Sequence, residues 1–252
     1  MALAYLNKLD PVNTSHLLGM CHRGHNRPAP SPGSWETFRL NHTYLISKIN
    51  ADIAKSLPYR GRVVDMGCGT APYKQIILAK ADEYVGVDWP SSKHDTSQVD
   101  IFANLAGPLP LDSDWADTVT SFQVLEHLSE PESFLRECHR ILRRGGQILM
   151  TVPFMWRVHE APHDYYRYTR HGLEYLLEKA GFVDIQLTAN TGVWQTLALK
   201  FSYQTAKRAR GILKPFFGAT WWVLQHAAPV LDRYDPNPAE TASYTVTARK
   251  PD

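Results

Sequence analysis

The apolar residues of this chain fall into two kinds of run. Short runs ending at glycine, aspartate or proline recur at RVVDMG (62–67), EYVGVD (83–88), SQVDIF (97–102), WADTVTSF (115–122), QILMTVPF (147–154), VDIQLTAN (183–190) and TASYTVTARK (241–250). Their length and alternation predict seven strands. Between them, YKQIILAK (73–80), ESFLRECHRILRRGG (132–146) and HGLEYLLEKAGF (171–182) carry apolar residues at helical spacing, the last two with glycine stops. Ahead of the first strand, residues 36–57 place Phe38, Leu40, Tyr44, Leu45, Ile49 and Ile53 on one helical face, which Pro58 ends. Strand–helix alternation of this kind predicts an α/β fold with a mostly parallel sheet covered on both faces. Residues 192–240 are too many for a plain crossover and predict a helical insertion before the last strand. The chain thus divides into an N-terminal helical and loop segment, 1–60, placed to act as a lid, and a main domain, 61–252.

Composition narrows the class. The 252 residues are 44% hydrophobic and 21% charged, ordinary globular values. No stretch approaches 18 consecutive apolar residues, and the first residues lack the basic start and apolar run of a secretory signal. Three cysteines cannot build a disulfide framework, so a reducing cytoplasm is expected. The net charge of +2 hides an asymmetry: 192–231 holds Lys200, Lys207, Arg208, Arg210 and Lys214 and no acid, leaving a net −3 on the rest. Phe201, Phe216, Phe217, Trp221 and Trp222 lie among these cations. Such a segment suits an anionic membrane at its inner face or a lipid-linked phosphate; the alternative is a helical cap on the sheet or a homodimer interface.

The first strand runs into Asp65-Met66-Gly67-Cys68-Gly69-Thr70-Ala71-Pro72-Tyr73. Glycines at a strand–helix turn let backbone approach a ligand closely. The dinucleotide fingerprint needs a third glycine three residues after the second, and Pro72 stands there. The next strand ends in Asp88, about twenty residues on, where a carboxylate can accept from ribose hydroxyls.

The ordered set VVDMGCGTAPY (63–73), VGVD (85–88), Asn104 before LP, FQVLEH (122–127) and ILRRGGQILMTVP (141–153) resembles the class I S-adenosylmethionine-dependent methyltransferases of the type 11 group. The resemblance covers residues 60–190. It implies a Rossmann-like seven-stranded sheet with an antiparallel final strand, and S-adenosylmethionine as cofactor. By position, it places Asp65 near the methionine amine, Gly67, Cys68, Gly69 and Tyr73 along the cofactor, and Asp88 with Trp89 at the ribose. Asn104 stands where an Asp usually faces the adenine amine, Leu105 supplies a backbone contact, and the Gln123 carbonyl faces the methionine amine. Ala71 replaces a common glycine, at small cost on a negative φ.

After the fifth strand, PFMWRVHEAPHDYYRYTRHG (153–172) contains His159-Glu160-Ala161-Pro162-His163, a literal H-E-x-x-H. That zinc motif works only on a helix, where both histidines share a face. Pro162 and the position after a strand end exclude it. The string is expected to be an acceptor loop above the strand ends. His159, His163, Glu160, Asp164 and, from the LEH turn, His127 are the candidate bases. Tyr165, Tyr166, Arg167 and Tyr168 are the candidate acceptor contacts. The alternative is an Asp164–Arg167 ion pair with packed tyrosines. Within the family, the string is similar to that of bacterial members working on surface glycans and lipid-linked sugars, which implies a sugar or lipid-linked hydroxyl as acceptor. The same core also suits N- or C-methylation of a small metabolite, or a cofactor-binding scaffold without turnover.

No resident metal is expected, because Cys21, His22 and His25 lack a fourth ligand; a loosely held ion near His159, Glu160 and Asp164 stays open. Nucleic acid is not an expected partner. QVLEH replaces the Asn/Asp-Pro-Pro-aromatic motif that serves flipped bases, and the overall charge is modest.

Overall fold

The structure, a computed structural model, describes residues 41–90 and 95–252. Its elements are α1 (Tyr44–Ser56), β1 (Arg62–Met66), α2 (Lys74–Leu78), β2 (Glu83–Asp88), β3 (Ile101–Phe102), β4 (Ala116–Phe122), α3 (Pro131–Ile141), β5 (Leu142–Pro153), α4 (Arg170–Lys179), β6 (Val183–Ala189), α5 (Val193–Ala206), α6 (Lys214–Tyr234) and β7 (Ser243–Arg249). The seven strands lie in the order β3-β2-β1-β4-β5-β7-β6. β1 to β5 pair in parallel, and β7 runs antiparallel between β5 and β6. This is the Rossmann-like sheet that the alternation and the resemblance imply.

β4 is almost wholly buried because both faces are covered. On one side Val64, Met66, Phe134, Leu135, Ile141 and Leu173 share a core; on the other Leu57, Tyr59, Val63, Ile77 and Leu149 do. The strand order changes direction between β1 and β4, so the carboxyl ends of β1, β2 and β4 open a crevice where such sheets bind ligands.

Some boundaries differ from the sequence pattern. The third strand shrinks to Ile101–Phe102, since the Asp100 carboxylate instead accepts from Gly86 N at 2.8 Å. The helix expected over 132–146 ends at Ile141, and Leu142 is already extended, with ψ 136°. Two bonds from the chain end draw 142–146 into β5: Gly145 N donates to Lys250 O, and Lys250 Nζ to Leu142 O. The RRGG tract is therefore a bulged strand start and not a helical stop.

The insertion is helical, as its length and pattern imply, and forms two helices. The Asp232 carboxylate of α6 accepts from Gly192 N, Trp194 N and Gln195 N at 2.9–3.1 Å. It thereby satisfies the free amides at the start of α5 and sits at the positive end of its dipole. Helix α1 docks on this pair: Leu45 packs with Ala198, Leu199 and Ala228. Buried Gln225 of α6 accepts from Leu45 N at 2.8 Å and donates to Asn41 O at 3.0 Å. The expected helix over 36–57 is thus seen from Tyr44, after a turn at 41–43; residues 1–40 of the 1–60 lid segment, with Cys21, His22 and His25, lie outside the described residues.

Candidate active site

The glycine turn after β1 is shaped by steric need. Gly67 has φ +72°, and a Cβ there would stand 2.5 Å from Val124 Cγ2. Gly69 has φ +53° and nothing within 4 Å of where its Cβ would be, so its backbone faces open space. Ala71 also has a positive φ, +49°. The expectation of a negative φ there is corrected: this Ala holds a left-handed conformation that costs an L residue about 1–2 kcal/mol.

Two carboxylates organise the turn. Asp88 accepts from Gly69 N and Trp89 N, both at 2.6 Å, one on each oxygen. Asp65 is 3% exposed and accepts from Tyr84 OH at 2.7 Å and Thr120 Oγ1 at 2.8 Å. Burial raises its pKa to about 6, against the pull of those two hydrogen bonds. Burial, with Asp65, Asp88 and Asp100 nearby, pushes the Cys68 thiol up to about 12. That thiol is inert at neutral pH.

A cavity of about 540 Å³ opens above these strand ends. Its lining includes Gly67, Cys68, Gly69, Asp88, Trp89, Asn104, Leu105 and Gln123 together with His127, His159, Glu160, His163 and Tyr165. An adjoining cavity of about 170 Å³ is lined by Asn50, Asp65, Tyr73 and Thr151, and shares Gly67, Cys68 and Gln123 with the first. Every candidate cofactor residue thus lines one or the other. Two glycines without Cβ, a carboxylate at the end of β2 and a second carboxylate in the smaller lobe match what a nucleoside joined to an amino acid needs. Gln123, common to both lobes, holds φ +56°, a strained backbone that its Gln123 N–Thr151 O bond (2.9 Å) helps fix.

The acceptor loop divides into two groups. His127, His159, Glu160, His163 and Tyr165 reach the cavity, while Asp164, Tyr166, Arg167 and Tyr168 are not among its lining residues. Asp164 accepts from Arg167 at 2.6 and 2.8 Å and from His159 N at 2.7 Å. Burial alone would raise its carboxyl; the Arg167 fork and the His159 amide outweigh it and hold the pKa at about 2. Arg167 further donates to the carbonyls of Trp156, Arg157 and Tyr166. The buried Tyr168 hydroxyl donates to Leu125 O at 3.1 Å, and that of Tyr166 to Ser129 O at 3.0 Å. These four side chains are the frame of the loop.

That frame brings histidines onto a carboxylate that nothing in the sequence pattern singles out. Glu126 is 0% exposed, its Oε1 lies 3.7 Å from His127 Nε2 and 3.9 Å from His159 Nε2, and neither oxygen has a hydrogen-bond partner among the described residues. Burial, partly opposed by its own backbone amide and Arg167, raises its pKa to about 8. The His127 and His159 rings meet edge to face at 4.9 Å, and burial, then the His127 charge, lowers the pKa of His159. Asn50 and Thr151 likewise line the smaller lobe without a signal in the sequence. A polar position on an amphipathic helix carries no signal of what it will face, and a glutamate is exposed by default.

The family profile described as "Methyltransferase domain" matches residues 64–150. A probable S-adenosylmethionine-dependent methyltransferase of Mycolicibacterium smegmatis is 33% identical over 96 residues, 36% of this chain and 37% of the relative. A ubiquinone biosynthesis O-methyltransferase of Cereibacter sphaeroides is 25% identical over 118 residues, 43% of this chain and 48% of the relative. The chain therefore spans between a third and a half of the curated relatives it matches. A solved methyltransferase structure from Archaeoglobus fulgidus superposes with a TM-score of 0.54 at 16% identity, covering 83% of this chain and 95% of that one.

Proposed function

The chain carries a class I S-adenosylmethionine-dependent methyltransferase domain, and from that premise we propose that it methylates a hydroxyl of a small or glycan-type acceptor, free or lipid-linked. The observation that carries this reading is one cavity lined both by candidate cofactor residues and by His127, His159, Glu160, His163 and Tyr165, which form the candidate acceptor wall. The cofactor supplies a sulfonium-bound methyl group, an excellent leaving arrangement that asks little covalent chemistry of the protein. Asp88 and Asp65 hold the two ends of the cofactor, and the glycine turn lets backbone lie against it. The acceptor wall presents the nucleophile in line with the methyl carbon and keeps water away. Imidazoles on that wall can take the proton that a hydroxyl releases, a service a neutral amine does not need.

A basic cleft supports the glycan or lipid-linked class. Trp156, Arg157, Lys200, Tyr203, Lys207 and Arg208 line a second cavity, with no carboxylate among its lining residues. It adjoins the acceptor loop, because Arg167 hydrogen-bonds the carbonyls of Trp156 and Arg157 while its Nη2 lies 3.3 Å from His159 Nδ1. A phosphate suits the cations and a sugar ring suits the aromatic faces. Beside it, α5, α6 and the turn between them expose Leu197, Phe201, Ile212, Phe216, Trp222 and Val223. Among the described residues no helix is long and apolar enough to cross a membrane. The basic and apolar face of this pair supports peripheral contact with an anionic membrane.

Calorimetry with S-adenosylhomocysteine and with NAD tests the cofactor, with binding of the first and not the second expected. A screen of sugars, sugar phosphates and lipid-linked sugars with methyl-labelled cofactor tests the acceptor. Turnover confined to amines would overturn the hydroxyl reading.

A further inference from the structure

We propose that Glu126, His127 and His159 form a binding site for one divalent transition-metal ion, of the zinc, cobalt or manganese kind, in the acceptor wall of the cavity. The role we give the ion, holding the acceptor oxygen, rests on the methyl-transfer reading; the binding itself does not.

The first argument is the state of Glu126. Its side chain is fully buried, and neither carboxylate oxygen has a hydrogen-bond partner among the described residues. Buried polar groups are almost always bonded, so two unbonded oxygens on one buried side chain call for a partner. The two Nε2 atoms lie 3.7 and 3.9 Å from the same Oε1, beyond hydrogen-bond reach. A cation among the three atoms supplies the charge and the bonds that the carboxylate lacks.

The second argument is how the imidazoles are held. His127 Nδ1 is bonded to the His163 carbonyl, an acceptor only, so Nδ1 carries the proton and Nε2 offers a lone pair. His159 Nδ1 lies 3.4 Å from Asp164 Oδ2. Arg167 Nη2, which only donates, lies 3.3 Å from the same Nδ1, so ligation through Nε2 requires the tautomer whose Nδ1 proton turns to Asp164, with Arg167 Nη2 keeping the Asp164 and Arg157 oxygens as its acceptors. Metal-binding histidines are oriented in this way, one nitrogen on a carbonyl or carboxylate and the other on the ion.

The third argument is size. The three ligand atoms all lie within 4.8 Å of one another. In a centre with bonds of ~2.1 Å at 90–110°, neighbouring ligands are about 3.0–3.4 Å apart. The two glutamate–histidine separations must close by less than about one ångström and the histidine–histidine separation by up to roughly 1.4–1.8 Å, within side-chain rotation, to reach that spacing. Three protein ligands leave coordination positions open, as catalytic centres require. His127 and His159 both line the cavity, so an open position faces the acceptor. Two imidazoles and one carboxylate favour transition metals over calcium or magnesium. The literal H-E-x-x-H string is not the ligand set: His159 serves, Glu160 is replaced by Glu126, and His163 contributes the carbonyl that orients His127.

The test uses the full chain, stripped with chelator and titrated with Zn²⁺, Mn²⁺ and Co²⁺, with Mg²⁺ for comparison. One equivalent of transition metal per chain is expected, with a Co²⁺ absorption spectrum showing nitrogen ligation. His127→Ala and His159→Ala should each weaken binding about tenfold or more, and His171→Ala, on the exposed start of α4, should not. Absence of binding by the wild-type chain, or binding that both cavity-histidine variants retain, overturns the site. Because the first of these is read on the unaltered protein, a variant that fails to fold does not blunt the test. S-adenosylhomocysteine is titrated in parallel. Cofactor binding without metal binding removes the site alone, and metal binding without cofactor binding removes the methyl-transfer reading alone.

Discussion

Replacing Asp65 with Asn should stabilise the protein while weakening its grip on the cofactor. Asp65 is buried at the end of β1, and its two oxygens accept from Tyr84 and Thr120. Burial raises its pKa from 3.8 to about 6, so the folded chain prefers the protonated form. Its favourable contribution is therefore complete below the unfolded value of 3.8, declines as pH rises from 3.8 to about 6, and is lost above. That rise corresponds to roughly 3 kcal/mol at neutral pH. Asn carries no charge, and one of the two hydroxyls must turn to accept from its amide, at about 1 kcal/mol. The expected net gain at pH 7 is about 2 kcal/mol, or roughly 4–8 °C in melting temperature for a chain of this size. At pH 3.5 the gain should be gone and the variant about 1 kcal/mol less stable than wild type, because the cost of the turned hydroxyl remains. Urea unfolding at both pH values reads the stability, and calorimetry with S-adenosylhomocysteine reads the affinity, which should fall about tenfold or more with the ammonium's partner gone. A variant no more stable than wild type at pH 7, or with the same dependence between pH 4 and 7, would refute the assignment of strain to this carboxylate.

Asp88→Ala should weaken cofactor binding by roughly 10²-fold or more, since hydrogen bonds to a charged acceptor contribute about 1.5–3 kcal/mol each; unchanged affinity by calorimetry would contradict the ribose role. Arg167→Ala leaves the buried Asp164 carboxylate without its fork, and should destabilise the fold by about 3–5 kcal/mol in urea. A loss below about 1 kcal/mol would return Arg167 to the candidates for acceptor binding. For the membrane contact, vesicles containing anionic lipid should co-sediment the protein. Replacing Lys200, Lys207, Arg208, Arg210 and Lys214 with Gln should release it; a stable dimer that ignores vesicles would assign the apolar face to a second copy.

The parts legible from the chain are those set by neighbours in sequence. The glycine turn, Asp65 and Asp88 follow from one strand–turn–helix–strand unit, whose geometry is local. The acceptor wall is different. Glu126 looks like any surface glutamate until β5 lays the 159–166 loop over it, with Tyr165 N and Tyr166 N donating to its carbonyl. Asp164 and Arg167 offer the same chemistry to a ligand or to each other, and their spacing permits both. Only the three further carbonyls around the guanidinium show that the fork is spent on the loop. The start of β5 escaped the pattern because Lys250, more than a hundred residues away, supplies the bond that draws Leu142 into the sheet.

Helix α1 touches two places at once. Asn50 lines the lobe that holds Asp65, while Leu45 N and Asn41 O are both tied to Gln225 of α6. A ligand that fastens Asn50 therefore also fastens the buried face of α6, whose opposite face exposes Trp222 and Val223. Any coupling between the two events acts equally in both directions. To the extent that cofactor steadies α6 for docking, docking tightens the hold on cofactor by the same factor.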